Sequence, residues 1–378
     1  MKQKYKKLAF FILLLSMLTG CMLLSGCMEN TENGSQSSYI VDSDELQDTE
    51  NQMEFVPGSM KGSKQEETSE NEEQGQTEQS RQTVAEENDA EQAKTAGNLE
   101  VHFIDVGQGD ATLIKCDGHS MLIDAGNNDK GTLVQNYLQH QGVETLDYVI
   151  GTHPDADHIG GMDVVLYKFD CKTIIMPDVA NNTRTYDDVV QTMKNKGYKT
   201  TYPVVGETYT IGGAAFTIIA PNKEYGNDMN SWSVGVLLQN GNHRFLFTGD
   251  AEEGAEQDIL QNGIDISADV YKVAHHGSNT ATSQAFLDAV HPTYAVISAG
   301  EGNSYGHPHA EVLNRLRAAG VSVFRTDEQG TIVAASDGTT LTWNMSPSES
   351  WQAGEAKKTQ IKVKSQLTVR TMQKQMQP

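Results

Sequence analysis

Between residues 98 and 345, short apolar runs alternate with amphipathic segments along the chain. Apolar runs bounded by turn-forming residues predict strands at 99–106, 111–115, 121–123, 146–150, 173–176, 208–211, 214–219, 232–239, 243–248, 269–274, 294–298 and 321–325, and a terminal hairpin at 331–343. Helical spacing of apolar residues predicts helices at 130–141, 159–169, 186–196, 252–261, 283–289 and 309–319. This order is typical of the α/β (α+β) class, and a four-layer αββα sandwich, with two mixed sheets between outer helices, accommodates it. Asn240-Gly241 predicts a type I′ hairpin turn between two of the strands.

Residues 1–27 have the pattern of a lipoprotein signal peptide: four lysines, then the apolar stretch 8–18, then Leu-Ser-Gly-Cys ending at Cys27. Cleavage there would leave Cys27 as an acylated N-terminus, although Leu-Thr-Gly-Cys ending at Cys21 fits the same pattern. An uncleaved transmembrane anchor is the alternative, but the apolar run is shorter than the ~20 residues that a span needs. Either way, we expect the remainder of the chain on the extracytoplasmic face of the membrane, held there by membrane lipid if Cys27 is acylated.

The segments on either side of the alternating pattern differ from it in composition. Residues 28–97 hold 18 acidic and 4 basic residues with few apolar clusters, which predicts a disordered acidic linker. Residues 346–378 are rich in Gln and Lys and predict a disordered basic tail. One domain, 98–345, remains, and its length is enough to bury a core.

Charge limits the choice of partners. The whole chain has a formal net charge of −23, and residues 98–345 alone contain 14 basic and 31 acidic residues, a balance of −17. Such a surface repels polyanions at long range, so a nucleic-acid partner would need compensation from metals, local basic side chains or salt.

The densest chemical signal is Thr152-His153-Pro154-Asp155-Ala156-Asp157-His158-Ile159-Gly160-Gly161, directly after a predicted strand. Two imidazoles and two carboxylates suit divalent ions such as Zn²⁺ or Mn²⁺, and no thiolate is present to select a softer metal. The motif predicts a metal site on the end of a strand, with the ligands His153, Asp155, Asp157 and His158.

Further polar residues follow other predicted strands. Asp124 closes the strand at 121–123, where it could accept a hydrogen bond from a ligand histidine, and Asp250 follows the strand at 243–248. We interpret Asp250 as a carboxylate that bridges two metals; the alternative is a cap for the helix that follows, and one residue can do both.

A pair of histidines ends the strand at 269–274. We favour His275 as a metal ligand and assign His276 to the surrounding shell or to substrate contact. His307 lies on a later loop and is a candidate donor of a proton or a hydrogen bond to substrate. Asp110, on a Gly-rich turn after the first strand, is expected to organise the floor of the metal site.

Together these motifs resemble the metallo-β-lactamase superfamily and, within it, the soluble hydrolase domain of ComEC-type competence proteins. The resemblance rests on motifs in the family's order: Asp105-Val-Gly-Gln-Gly-Asp-Ala, Ile-Asp124-Ala-Gly, Thr-His153-Pro-Asp-Ala-Asp-His-Ile-Gly-Gly, Thr-Gly-Asp250, Lys-Val-Ala-His275-His-Gly-Ser and Asn303-Ser-Tyr-Gly-His307-Pro. It implies the metallo-β-lactamase fold, a site for two divalent metal ions (Zn or Mn), catalytic roles for Asp157 and His307, and DNA as substrate.

The chain departs from the family pattern at two points. Asp155 stands where the superfamily usually has a second histidine, a change shared with ComEC-like members. The further ligand histidine expected before Asp250 is missing, because the one histidine in that interval, His243, belongs to the predicted hairpin. Asn230 and Ser231 occupy the expected region instead, as shell or substrate-contact residues.

These features predict a metal-dependent hydrolase, a phosphodiesterase or nuclease that acts on DNA through an activated hydroxide. The acidic balance keeps a small phosphoester open as the alternative substrate. A non-catalytic surface binding module with a degenerate metal site is the non-enzymatic alternative. Cys116 and Cys171 could pair or remain buried thiols, and their spacing does not decide between these states.

Overall fold

The computed structural model describes residues 96–355. The predicted signal peptide, its Cys27 or Cys21 acylation site and nearly all of the predicted acidic linker lie outside the described residues, as does the tail after residue 355. Within 96–355, no helix combines the length and the apolar character needed to cross a membrane.

Two mixed β-sheets form the centre of the fold. The first sheet has eight strands in the spatial order β15 (Leu341–Trp343), β14 (Ile332–Ser336), β1 (Leu99–Phe103), β2 (Thr112–Cys116), β3 (His119–Ile123), β4 (Thr145–Ile150), β5 (Asp170–Ile175) and β6 (Thr200–Thr201). The second has seven strands in the order β13 (Ser322–Arg325), β12 (Tyr294–Ile297), β11 (Val270–Lys272), β10 (His243–Phe247), β9 (Gly235–Asn240), β8 (Ala214–Ala220) and β7 (Thr208–Ile211).

Helices cover the outer face of each sheet. Those beside the first sheet are α1 (Gly131–His140), α2 (Ala156–Ile159), α3 (Met162–Lys168) and α4 (Arg184–Lys196). Those beside the second sheet are α5 (Glu253–Gln261), α6 (Gln284–Val290) and α7 (Ala310–Ala318); the short α8 (Thr326–Gln329) follows β13.

Three apolar clusters hold these layers together. One lies between the two sheets and includes Phe103, Phe216 and Phe245, and each of the others lies between a sheet and its helices. This is the predicted four-layer αββα sandwich, which is therefore confirmed.

The direction of the parallel strands places the predicted metal motifs at the carboxyl ends of strands in both sheets. β3, β4 and β5 are parallel neighbours in the first sheet, and β10, β11, β12 and β13 are parallel neighbours in the second. Ligands of open α/β sheets bind outside the carboxyl ends of parallel strands, and the metal motifs all follow such ends.

Most predicted elements occur close to their expected bounds, and four local differences have physical causes. The helix expected at 159–169 is two helices, α2 and α3, separated at Gly160 and Gly161. The strand expected at 232–239 begins only at Gly235, because Asn230–Trp232 form a 3-10 turn. The hairpin turn consists of Gly241 and Asn242 rather than Asn240-Gly241, because Asn240 pairs within β9.

The fourth difference is the start of the tail. Residues 346–355 lie against the domain instead of forming a disordered tail, so the boundary predicted at 345 is too early. Trp351 packs on the outer cluster of the second sheet, under the guanidinium of Arg317 at 5.8 Å. The amide N of Gly354 donates to the carbonyl O of Pro308 at 2.9 Å.

Asn240 connects the two sheets through its buried side chain. Its Oδ1 accepts from the amide N of Gly97 at 2.9 Å, and its Nδ2 donates to the carbonyl oxygens of Gly97 at 2.9 Å and Ser336 at 3.1 Å. We expect Asn240→Ala to lower the free energy of unfolding by about 1–3 kcal/mol, because buried backbone groups lose their partners. Urea unfolding followed by circular dichroism measures this, with the exposed neighbour variant Gln239→Ala as the control. Equal stability of both variants would contradict the bridging role.

Candidate metal centre

The loop after β4 carries the first two histidines. Both His153 and His158 are buried, and their ring centroids are 4.1 Å apart. The loop turns directly into α2, for which Asp155 is the N-terminal boundary residue, so residues five apart in sequence converge. The carboxylate of Asp155 is 40 % exposed, and its Oδ2 lies 3.8 Å from Nε2 of His153.

The two glycines of the motif are required by close packing. A Cβ on Gly161 would lie 2.3 Å from the carbonyl O of Ala125, and one on Gly160 would lie 2.3 Å from the amide N of Asn128. Both contacts press the ligand loop against the turn that carries Asp124. The two glycines therefore allow the close approach that brings His158 against Asp124.

Asp124 orients His158. Its Oδ2 lies 2.8 Å from Nδ1 of His158, and the carboxylate also accepts from the amide N and hydroxyl of Thr152, at 2.8 and 2.7 Å. This fixes the ring so that its Nε2 is directed at Oδ2 of Asp250, 3.2 Å away. Asp124 thus contacts the ring nitrogen of His158 that faces away from Asp250.

Asp250 lies at the centre of the cluster. Its Oδ2 is 3.2 Å from Nε2 of His158, 3.4 Å from Nε2 of His276 and 3.7 Å from Nε2 of His275. Its backbone N donates to the hydroxyl of Ser233 at 3.0 Å, and the same hydroxyl lies 3.3 Å from Nδ1 of His153. A carboxylate that meets several imidazoles in this way has the position expected of a bridging ligand.

His275 and His276 share a tight turn after β11, and both have left-handed backbone conformations, with φ of 50° and 54°. His276 is buried: its Nδ1 donates to the carbonyl O of Ser298 at 3.0 Å, and its Nε2 lies 3.4 Å from both Asp157 and Asp250. His276 is therefore more central than the sequence indicated.

His275, which the sequence favoured as the ligand, lies nearer the opening of the site. Its side chain is 20 % exposed, with Nδ1 3.3 Å from a carboxylate oxygen of Glu252 and Nε2 directed at Asp250. Glu252 also accepts from Thr280, and nothing in the sequence pattern separated it from other acidic residues at helix starts.

Asp110 lies beneath His276 and has a buried counter-charge. Nζ of Lys272 donates to its Oδ2 at 2.8 Å, and its Oδ1 lies 3.4 Å from Nδ1 of His276. Both side chains of the ion pair are almost fully buried. Lys272 belongs to the Lys-Val-Ala-His-His motif but was given no role from the sequence.

Of the remaining predicted residues, His307 and Asn230 reach the site and Ser231 does not. His307 is buried, and its ring centroid lies 5.5 Å from that of His275 and 6.0 Å from that of His276. Asn230 reaches the site indirectly, by donating to Glu252 at 3.2 Å. Ser231 does not reach it, because its hydroxyl donates to Asp228 at 2.7 Å; its expected contact with ligands or substrate is wrong, and Ser233 takes that position.

Electrostatics at the centre favour cations. Burial opposes protonation of His158 and His276, but the carboxylates around them outweigh it and raise the pKa of each ring well above the usual value. Burial would raise the pKa of Asp157, yet His276 and His158 lower it to about 2. The same carboxylates that stabilise imidazolium would stabilise a divalent ion.

Two other histidines are held neutral. Burial and the proximity of His158 lower the pKa of His153 to about 3, which leaves the ring neutral, as a metal ligand must be. Burial, His276 and His275 lower the pKa of His307 to about 3. At neutral pH, His307 can donate a hydrogen bond, but it is not an imidazolium acid.

The donor set fits a divalent cation. Several buried polar atoms have no hydrogen-bond partner among the described residues: Nε2 of His153, His158 and His276, and one carboxylate oxygen each of Asp110 and Asp250. Ligand atoms within 4.8 Å of one another group as His153, His158 and Asp250, and as Asp157, His158 and His276. Nitrogen and oxygen donors suit Zn²⁺ or Mn²⁺.

The chain is similar to one known protein family and to several curated proteins. The family model for the metallo-beta-lactamase superfamily matches residues 104–301. The chain is 31% identical over 255 residues to ComE operon protein 3 of Bacillus subtilis, covering 62% of this chain and 32% of that protein. It is 33% identical over 238 residues to Recombination protein 2 of Haemophilus influenzae, covering 62% and 28%. The chain thus spans about a third of the length of these curated relatives.

Among solved structures, the metallo-beta-lactamase fold protein YhfI of Bacillus subtilis aligns with a TM-score of 0.45 and 13% identity, covering 63% of this chain and all of that one. The family match spans the ligand loop, Asp250 and the His275-His276 turn. The chain therefore belongs to the metallo-β-lactamase superfamily.

Proposed function

We propose that this chain is a metal-dependent phosphodiesterase that hydrolyses DNA. The observation that carries the proposal is the convergence, from both sheets, of buried imidazole nitrogens and carboxylate oxygens that have no hydrogen-bond partner among the described residues. One of its sequence relatives is named Competence protein ComA, of Neisseria gonorrhoeae, and another is named Recombination protein 2, of Haemophilus influenzae. Recombination acts on DNA, so the second name supports a nucleic-acid substrate.

Two divalent ions, Zn or Mn, would be held by His153, Asp155, Asp157, His158, Asp250 and His275, with His276 added by its contacts with Asp157 and Asp250. When bound, such ions supply ionised water near neutral pH and neutralise the charge that develops on the phosphate oxygens.

The protein's own groups prepare the site for this chemistry. Asp124 fixes the ring of His158, and Glu252 lies on the far nitrogen of His275, as carboxylates commonly do behind ligand histidines. Lys272 holds Asp110 in place beneath His276. His307, whose ring centroid lies 5.5 Å from that of His275, would donate a hydrogen bond to substrate from its neutral ring. Asp157, 3.4 Å from His276, would be the second residue to take a direct part in the reaction.

A small phosphoester is the second candidate substrate, and the balance of 14 basic against 31 acidic residues in 98–345 favours it. A panel of single- and double-stranded DNA, RNA and small phosphodiesters, with Mn²⁺ or Zn²⁺ added, distinguishes the two substrates. Hydrolysis of the small esters alone would contradict DNA as substrate. Substoichiometric metal together with no hydrolysis would favour the binding module.

We expect His153→Ala and Asp250→Asn each to lower metal-dependent DNA hydrolysis by at least ~100-fold, since losing a ligand costs more than losing its supporting partner. Metal content by mass spectrometry and hydrolysis of a labelled oligonucleotide measure the effect. His140→Ala is the matched control, because this exposed histidine bonds only to its own helix. Full activity of both variants in chelator-treated protein would contradict the proposal.

Metal binding should release protons at pH 7, because the raised pKa values of His158 and His276 keep both rings protonated until a cation replaces the proton. Affinity for Mn²⁺ should therefore rise from pH 6 to pH 8. Calorimetry in two buffers of different ionisation enthalpy counts the protons released. Asp124→Asn should reduce the release and weaken binding by about 10- to 100-fold. A pH-independent affinity without proton release would contradict the assignment of these rings as ligands.

We further propose that acylated Cys27 tethers the protein to the extracytoplasmic face of the membrane, which rests on the Leu-Ser-Gly-Cys motif alone. Cys27→Ser should move the protein from the membrane fraction and remove the lipid detected by mass spectrometry of the N-terminal peptide. Cys21→Ser is the paired variant. Loss of lipid in that variant alone would assign acylation to Cys21.

A further inference from the structure

Tyr305 presents an exposed aromatic ring beside the metal centre. Its side chain is on the surface, with the residue 64% exposed. Its ring is stacked on that of His307, with centroids 5.5 Å apart and planes at 16°. His307 in turn lies 5.5 Å from His275, ring to ring. An exposed tyrosine is thus separated from the predicted ligands by a single imidazole.

The loop that carries Tyr305 is held in place by Asn303. Oδ1 of Asn303 accepts from the backbone N of Tyr305 and of His307, both at 3.1 Å. Its Nδ2 donates to the carbonyl O of Gly300 at 2.9 Å and of His307 at 2.6 Å. The backbone on both sides of the ring is therefore fixed, so a planar ligand could stack on it with little loss of conformational entropy.

The charge of the domain makes such a ring useful. With 14 basic and 31 acidic residues in 98–345, the domain has fewer than half as many basic as acidic side chains, which disfavours binding of phosphates by charge. Aromatic side chains bind nucleotides through the face of the base, a contact that itself needs no cationic side chain. Bases in a duplex already stack on their neighbours, whereas unpaired bases have a face free for an aromatic side chain.

We propose that Tyr305 stacks on an unpaired nucleobase next to the phosphodiester that is hydrolysed, and so determines specificity for single-stranded substrate. This inference rests on the proposed phosphodiesterase function. In this proposal the stacked base contributes to the affinity for substrate, and the metal centre cleaves the phosphodiester. The two contributions can therefore be measured separately.

The test compares two substrates of equal length, single-stranded oligothymidylate and the same backbone with abasic sites, using the full-length protein with Mn²⁺. Tyr305→Leu should raise KM for oligothymidylate by roughly fivefold or more, the value of one base–aromatic stack. Tyr305→Phe should restore the wild-type KM, because the ring and not the hydroxyl stacks. The KM for the abasic substrate should change much less.

Tyr167→Leu is the matched control, because Tyr167 is 65% exposed but lies in the last turn of α3. Metal content and melting temperature identify any variant that is misfolded. Equal losses on both substrates, confined to kcat, would show that Tyr305 only supports His307 and would overturn the inference. An unchanged KM ratio in Tyr305→Leu would also overturn it while leaving the phosphodiesterase proposal intact. Hydrolysis of neither substrate by the wild type would contradict the phosphodiesterase function itself.

Discussion

The mutual repulsion of buried carboxylates is the constraint on which the site depends. Asp110, Asp124 and Asp250 are almost fully buried, and each would be costly to ionise alone. Each carboxylate is instead in contact with a cationic or hydrogen-bonding partner: Lys272 with Asp110, Thr152 and His158 with Asp124, and His158 and His276 with Asp250. Negative and positive groups therefore alternate in the centre. Removing one of them would leave the charge of its neighbours uncompensated.

The fold supplies this arrangement by bringing two sheets to one edge. Asp124 and His153 follow parallel strands of the first sheet, and Asp250 and His275 follow parallel strands of the second. The strands that precede these residues are largely buried, which fixes the backbone at these positions. The apolar cluster between the sheets thus determines the distances among groups that are far apart in sequence.

The fold and most of the site could be predicted because their signals are local. Strand and helix periodicity gave the four layers, and the ligand loop is contiguous from His153 to His158. The remaining features depend on tertiary contacts that no spacing encodes. Whether Ser231 or Ser233 faces the site depends on a three-residue 3-10 turn, and the central position of His276 depends on two successive left-handed residues. Lys272 and Glu252 acquire their roles only through partners distant in sequence, Asp110 and His275.

The segment 346–355 determines where a fragment that contains the whole domain should end. The family match ends at residue 301, yet β14 forms the outer neighbour of β1, and Gly354 is in contact with the loop of His307. An expression boundary drawn at the family match would leave an open sheet edge, and one drawn at 345 would uncover the apolar surface beneath Trp351. Recombinant fragments of this protein should therefore extend to residue 355.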